Sequence, residues 1–130
     1  MSVGARFGDP RIRILIAEYT WSEAQTYLPR RVQEMRFSDE ARGRALLTAA
    51  LVSADVTTRR VPLRLYQRHE AEARNRIPRD PDDWHTVAVA LRYETAIWTH
   101  DNHFLGCGIG TLTTDTLLRH IQSGRLPVPQ

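Results

Sequence analysis

The chain has 130 residues, a length that fits one domain, residues 1–130, around a single core. Its 42% hydrophobic and 25% charged residues are typical of a water-soluble protein, and no apolar run approaches the roughly 20 residues of a membrane span. The opening sequence "MSVGARFGDPR" has no apolar segment before a small-residue cleavage site. We therefore expect a cytoplasmic protein and neither export nor membrane insertion.

The basic residues are unevenly distributed. All 18 are arginine, and the formal net charge is only +3. Seven arginines and two glutamates lie between Arg59 and Arg79, which leaves this segment with a net charge of +5. Such a flank can hold a phosphate backbone, because the guanidinium group binds phosphate through two hydrogen bonds. The alternative is an ordinary solvated surface.

The first predicted elements are a strand over residues 11–17, "RIRILIA", and the helix that follows it. Thr20 and Glu23 have the spacing of a capping box at the start of that helix. Pro29 predicts a kink or a break. Apolar residues at steps of three or four predict one buried face: Trp21, Ala24, Leu28, Val32 and Met35.

Two further helices are predicted in the middle of the chain. The first spans Ser38 to Ser53, and the polar helix "RHEAEARNRI" ends near Pro78. Between them, residues 61–67 read as a short strand or an extended entry. The predicted buried side of the Ser38–Ser53 helix consists of Ala45, Leu46, Ala49, Ala50 and Val52.

The last third begins with a strong helix start, in which Asp80 is the predicted N-cap and Pro81 occupies the first helical position. A buried strand over residues 95–99, a turn-rich loop over 106–110 and a short strand with a final helix in "TLTTDTLLRHI" follow. This alternation predicts an α/β fold with a largely parallel sheet. The helix after Asp80 has a core-facing stripe: Trp84, Val87, Ala88 and Leu91.

Three acids fall at junctions between predicted elements. Glu23 and Asp83 lie in the first turns of helices, and Asp101 lies just beyond a strand end. The carboxyl ends of parallel strands share one edge of a sheet, so these side chains can converge there. Clustered carboxylates repel one another unless a cation or a proton neutralises them, and oxygen ligands suit Mg²⁺ or Mn²⁺. Such an ion can activate water for phosphodiester hydrolysis.

Each acid also has a structural interpretation. Glu23 can simply close the capping box, Asp80 can simply cap, and Asp83 can simply favour the helix dipole. Asp101 can be an ordinary turn residue in "HDNH".

The remaining chemically notable residues favour structural roles. His100 and His103 flank Asp101, but a soft metal site would need a third ligand that the sequence does not mark. The single cysteine, Cys107, has no partner for a disulfide and is interpreted as a loop residue. Trp84 and Trp98 lie within helix and strand patterns, which predicts core positions.

Residues 79–104 resemble the carboxyl-terminal half of PIN domains. "DPDDWHTVAVAL" and "AIWTHDNHF" match the acidic helix start and the T-x-D-x-x-F strand end of that family, and the resemblance extends over about residues 11–122. It implies a three-layer α/β/α sandwich and a metal-dependent ribonuclease, with Glu23, Asp83 and Asp101 as metal-binding acids and Thr99 beside them. It also implies RNA as substrate and, for many bacterial members, a toxin that a small antitoxin protein restrains.

One departure from the family concerns the amino terminus. PIN domains begin with an apolar strand that ends in aspartate, whereas only ten residues precede Arg11 here, and Asp9 comes before a strand instead of after one. We therefore expect an amino-terminally shortened fold, or a sheet that a partner completes. Exposed strand edges favour a homo-oligomer. The alternative to an enzyme is a catalytically inactive remnant that binds RNA or a protein.

Overall fold

Short strands alternate with helices along the chain, which confirms the predicted α/β fold. The computed structural model describes residues 12–34, 57–99 and 101–123, and the separate positions 42, 45, 48, 49, 52 and 53. In chain order the strands and α-helices are β1 (Ile14–Ala17), α1 (Glu18–Glu34), β2 (Thr58–Val61), α2 (Leu63–Tyr66), α3 (Glu70–Arg76), α4 (Trp84–Tyr93), β3 (Ile97–Trp98), β4 (Thr111–Leu112) and α5 (Thr114–Ser123). Short 3₁₀ turns occupy Gln67–His69, Pro81–Asp83 and Asn102–Phe104.

The described strands form two parallel pairs. Strand β1 pairs with β2, with Ile14 opposite Thr58. Strand β3 pairs with β4, with Ile97 opposite Thr111. Within the described ranges these are two separate two-stranded sheets. The parallel arrangement is the one that the sequence predicts. The connection from β1 to β2 contains α1, and the connection from β3 to β4 contains the 3₁₀ turn Asn102–Phe104.

Helices cover both faces of β1. Successive side chains of a strand point to opposite faces. Ile12 and Ile14 pack with Leu117 and Ile121 of α5, whereas Ala17 belongs to the main core cluster that α4 supplies. This arrangement gives the three layers that the family resemblance implies.

The main core lies on the α4 side of the sheet. Trp84 is 5% exposed, and Val87 and Ala88 are fully buried, as the apolar stripe predicts. Tyr66 of α2 is also fully buried, and its ring meets Trp84 edge to face at 5.6 Å between centroids. Burial of this kind contributes about 1.5–3 kcal/mol for each large side chain, so α4 is firmly anchored.

The start of α1 differs from the prediction. Strand β1 passes into the helix at Glu18 without a loop, so Thr20 already lies inside the first turn and the capping box is wrong. The predicted break at Pro29 is also wrong, because α1 continues through it to Glu34. A proline lacks the N–H for one helical hydrogen bond, but this helix of 17 residues contains Pro29 in its interior.

The short strand or extended entry predicted over residues 61–67 is wrong beyond Pro62. Strand β2 ends at Val61, and a helix begins at Leu63. Pro62 explains the change of structure, because it lacks an N–H for the sheet and has extended angles of φ −69° and ψ 150° just before the helix.

Two predictions of burial are wrong. Trp98 is 43% exposed, because strand β3 has only two residues and the inward position belongs to Ile97. Its indole N–H donates to the Thr114 hydroxyl at 3.0 Å. In the predicted helix from Ser38 to Ser53, the described positions are helical but exposed, and the other positions lie outside the described residues. The exposed positions include three that were expected to be buried: Ala45, Ala49 and Val52.

A cavity of about 470 Å³ separates β1 from β3. Residues 12–17 line one side, residues 95–98 line the other, and Ala90 of α4 lies between them. The N–H group of Ile97 donates to the carbonyl of Gly110, and the N–H group of Thr99 donates to the carbonyl of Leu112, both at 2.9 Å. Successive peptide groups of a parallel strand point in opposite directions. The backbone groups between the N–H groups of Ile97 and Thr99 are therefore directed toward the cavity.

The predicted loop over residues 106–110 is fastened to α3 by one arginine. The Arg76 guanidinium donates to the Cys107 carbonyl at 2.9 Å. Gly108 has a φ of +84°, and a Cβ atom there would lie 2.5 Å from the Arg76 Nη1 atom. Gly106 has nearly the same backbone, φ +83°, but open space around it.

Replacing Gly108 by Ala is therefore expected to destabilise the protein more than replacing Gly106 by Ala. Both changes place a side chain at positive φ, at a cost of about 1 kcal/mol. Gly108→Ala also displaces the Arg76 guanidinium from its carbonyl, which adds about 1 kcal/mol. Urea unfolding of both variants measures the difference. Equal losses of unfolding free energy would show that the Arg76 contact does not stabilise the loop.

Candidate active site

The three predicted acids lie on three different elements of the structure. Glu23 lies on α1, one turn beyond the end of β1, and Asp83 closes the 3₁₀ turn that precedes α4. Asp101 follows β3 and precedes another 3₁₀ turn. The charges of Glu23 and Asp101 both act on Asp83. All three acids therefore contribute to one electrostatic neighbourhood.

Asp83 is the most perturbed acid of this group. Burial contributes most to raising the pKa of its carboxyl to about 6, followed by a hydrogen bond with Asp80 and the charge of Asp80. The charges of Asp101 and Glu23 raise it further. Desolvation and like charges act in the same direction here, because both disfavour the ionised form.

Asp80 does not have the role that its position predicts. Its side chain makes no capping hydrogen bond, although Pro81 does open a 3₁₀ turn as expected. Instead, its carboxyl group forms a hydrogen bond with the carboxyl group of Asp83. Two carboxyl groups can share such a bond only through a proton, so the pair favours one protonated member.

Thr99 holds the backbone of Asp101. The Thr99 hydroxyl oxygen accepts the N–H of Asp101 at 2.9 Å, and the carbonyl of Asp101 accepts the N–H of Phe104 at 3.4 Å. Asp101 is exposed, and Phe104 is buried. The turn that the sequence predicts thus anchors an acidic side chain at the surface. His100 and the side chain of His103 lie outside the described residues.

The acids fit a hard divalent cation by their chemistry, but they do not form a finished coordination shell. Carboxylate oxygens are the ligands that Mg²⁺ and Mn²⁺ prefer, and the repulsion that raises the pKa of Asp83 is the kind that such a cation relieves. Among the residues that the structure describes, no group of three or more His, Cys, Asp and Glu side chains is placed to hold a metal ion.

A column of three aromatic rings stands beside the acids, and sequence reasoning missed it. The His85 ring stacks between Trp84 at 4.0 Å and 26° and Tyr19 at 4.2 Å and 15°. The Tyr66 hydroxyl lies 2.6 Å from the Nδ1 atom of His85. The only indication of this column in the sequence is that His85 lies two residues after Asp83.

The column is electrostatically connected to the acids. Burial is the main cause that lowers the pKa of His85, so its ring favours the neutral form. The pKa of Tyr19 is raised first by its hydrogen bond with Glu23 and then by the charge of that carboxylate. The column is therefore adjacent to Glu23, one of the three predicted acids.

The arginine-rich segment is partly occupied by contacts within the protein. Arg74 pairs with Glu70 and Arg76 pairs with Glu72, both at 2.9 Å. Arg60 lies over the Trp21 ring, 4.4 Å from its centroid. Arg68 is exposed and donates to the Nε2 atom of His69 at 3.3 Å. Other arginines of the segment are also exposed: Arg59, Arg64 and Arg79.

Parallel strand pairs between helical layers define an α/β protein, in which Glu23 lies on the helix after β1 and Asp101 follows β3. A family model for the PIN domain matches residues 5–122. The chain therefore belongs to the PIN-domain family, as the resemblance predicted. No curated protein and no solved structure gives a significant match.

Replacing Asp83 by Asn is expected to stabilise the metal-free protein at pH 8 by about 1 kcal/mol. The pKa of Asp83 is about 6 in the folded protein and has an ordinary value of 3.8. The folded state therefore holds this proton more tightly, and the resulting stability is complete below about pH 4 and is lost as the pH rises through about 6. The full pKa difference corresponds to about 3 kcal/mol, which solvent screening of the partly exposed group reduces.

The measurement is urea unfolding between pH 4 and pH 8 with chelator present. The neighbouring exposed residue provides the control, Asp82→Asn. A stability gain in Asp83→Asn that is the same at every pH would contradict the explanation.

Proposed function

We propose that this PIN-domain protein is a metal-dependent ribonuclease that hydrolyses RNA phosphodiester bonds. The observation that carries the proposal is the convergence of charge on Asp83 from Glu23 and Asp101, each of which lies on a different element. Nuclease function is the type that the PIN family suggests. Magnesium or manganese is the proposed cofactor, because all three side chains offer oxygen atoms.

In this site each of the named side chains would have a separate role. Glu23, Asp83 and Asp101 would hold the ion, which when bound supplies an activated water and stabilises the leaving oxygen. Thr99 keeps the backbone of Asp101 in place through its 2.9 Å hydrogen bond. In the metal-free protein Asp83 shares a hydrogen bond with Asp80, which favours the protonated form of Asp83. Asp83 must release its proton before it becomes a ligand, so metal binding should weaken as the pH falls below about 6.

We further propose that the ribonuclease is the toxin of a toxin–antitoxin pair. RNA binding is common among PIN domains, and the exposed arginines supply charge for a phosphate backbone. An antitoxin protein would restrain the enzyme in the cytoplasm. No helix in the described ranges is long and apolar enough to cross a membrane.

The nuclease proposal predicts that Asp83→Asn and Asp101→Asn each reduce RNA cleavage by about 100-fold or more and weaken Mn²⁺ binding, because each removes an ionised ligand. Cleavage of a fluorogenic single-stranded RNA and calorimetric titration of Mn²⁺ measure the two effects. Asp115→Asn is the matched control, since Asp115 is an exposed acid in the first turn of α5. Chelation should abolish cleavage. Full cleavage by both site variants would refute the proposal.

The exposed arginines should contribute to RNA affinity, whereas the paired ones should contribute to stability. Arg64→Ala combined with Arg68→Ala is expected to weaken RNA binding several-fold in 50 mM salt and to reduce the dependence of the affinity on salt. Arg74→Ala should instead lower the unfolding free energy by a few tenths of a kcal/mol, because it removes a helical ion pair with Glu70. Fluorescence anisotropy and urea unfolding separate the two cases. An unchanged salt dependence in the double variant would exclude these arginines from the interface.

A second candidate function is a non-catalytic module that binds RNA or a protein. The observation that favours it is the cavity of about 470 Å³ between β1 and β3, because strand edges readily accept another chain. On this proposal the protein is a homo-oligomer, which light scattering after size exclusion would reveal. RNA binding that survives Asp83→Asn and Asp101→Asn, without cleavage by the wild type, would select this function.

A further inference from the structure

Tyr19 presents an aromatic surface at the edge of the acidic site. Its side chain is 49% exposed, although the inner face of its ring stacks on His85 with centroids 4.2 Å apart. Its hydroxyl is hydrogen-bonded to Glu23, and the charge of Asp82 also acts on it. One face of the Tyr19 ring is therefore covered by His85, another part of the ring is exposed to solvent, and the ring lies close to the acids.

The support beneath Tyr19 is anchored in the core. His85 stacks on Trp84 with an interplanar angle of 26°, and Trp84 is 5% exposed. The Tyr66 hydroxyl, 2.6 Å from the His85 Nδ1 atom, holds the middle ring from the side. A ring that folding has already fixed loses little freedom when a planar ligand covers it. The column is thus suited to bind a flat partner at its outer end.

We propose that the outer face of Tyr19 binds an unpaired nucleobase of single-stranded RNA. Every nucleobase has a face that stacks on an aromatic side chain, whereas bases within a duplex are covered by their neighbours. The inference rests on the proposed ribonuclease function, since it places a base beside the acids that would act on the RNA chain. It assigns the Tyr19 ring a stacking contact that has little preference among bases.

The test compares ring removal with hydroxyl removal. Tyr19→Ala eliminates the stacking surface and is expected to weaken binding of a 12-nucleotide single-stranded RNA by about 5- to 100-fold. Tyr19→Phe keeps the ring, loses the hydrogen bond with Glu23, and should bind within about twofold of the wild type. Tyr27→Ala is the control for a second tyrosine of α1, which is 54% exposed. Thermal melts establish that each variant is folded.

Binding is measured by anisotropy with Ca²⁺, which takes oxygen ligands, and cleavage is measured separately with Mn²⁺. Oligonucleotides that carry one 2-aminopurine report stacking by loss of its fluorescence. The proposal expects quenching by the wild type and Tyr19→Phe, no quenching by Tyr19→Ala, and weaker binding of a hairpin duplex.

The outcomes separate this inference from the nuclease proposal. Cleavage by the wild type with unchanged binding by Tyr19→Ala overturns the stacking site and leaves the nuclease intact. Quenching that depends on Tyr19 without any cleavage supports the stacking site and overturns the nuclease. Equal losses in Tyr19→Phe and Tyr19→Ala would assign the effect to the hydrogen bond with Glu23, and the stacking proposal would then be wrong.

Discussion

Carboxyl groups crowd around Asp83, and burial acts on it in the same direction as their charge. Asp80 shares a hydrogen bond with Asp83, and Glu23 and Asp101 repel its negative form. Such a group can be neutralised by a proton or by a cation. In the metal-free protein, burial and then the neighbouring carboxyl groups raise the pKa of Asp83. A divalent cation at the proposed site would relieve the same repulsion.

Packing keeps this conflict from relaxing. Trp84 follows Asp83 directly and is buried in the core, so the start of α4 cannot turn outward without exposing a large aromatic surface. The next residue, His85, is held between two rings and beside the Tyr66 hydroxyl. The apolar stripe of α4 provides the free energy of burial that balances the unfavourable electrostatics. Trp84, which stabilises the core, therefore directly follows Asp83, where the electrostatics are unfavourable.

The sequence predicted what depends on short-range periodicity and missed what depends on contacts between distant residues. Val87 and Ala88 were placed correctly because a helix of ten residues displays its period fully. Trp98 was misplaced because a strand of two residues has no period. The bond between Asp80 and Asp83 was missed because local rules assign such an aspartate to capping. The stack of Tyr19 on His85 was missed because 66 positions separate them.

Helix α4 also determines how the acids lie relative to one another. It begins directly after Asp83 and packs against both β1 and β3, the strands that precede Glu23 and Asp101. Within the described ranges these two strands belong to separate sheets, with a cavity between them. Their separation is then set by side chains of α4 such as Ala90, which lines that cavity. Because α4 packs against both strand pairs and begins directly after Asp83, core packing influences the geometry of the acidic group as well as the turn that carries Asp101.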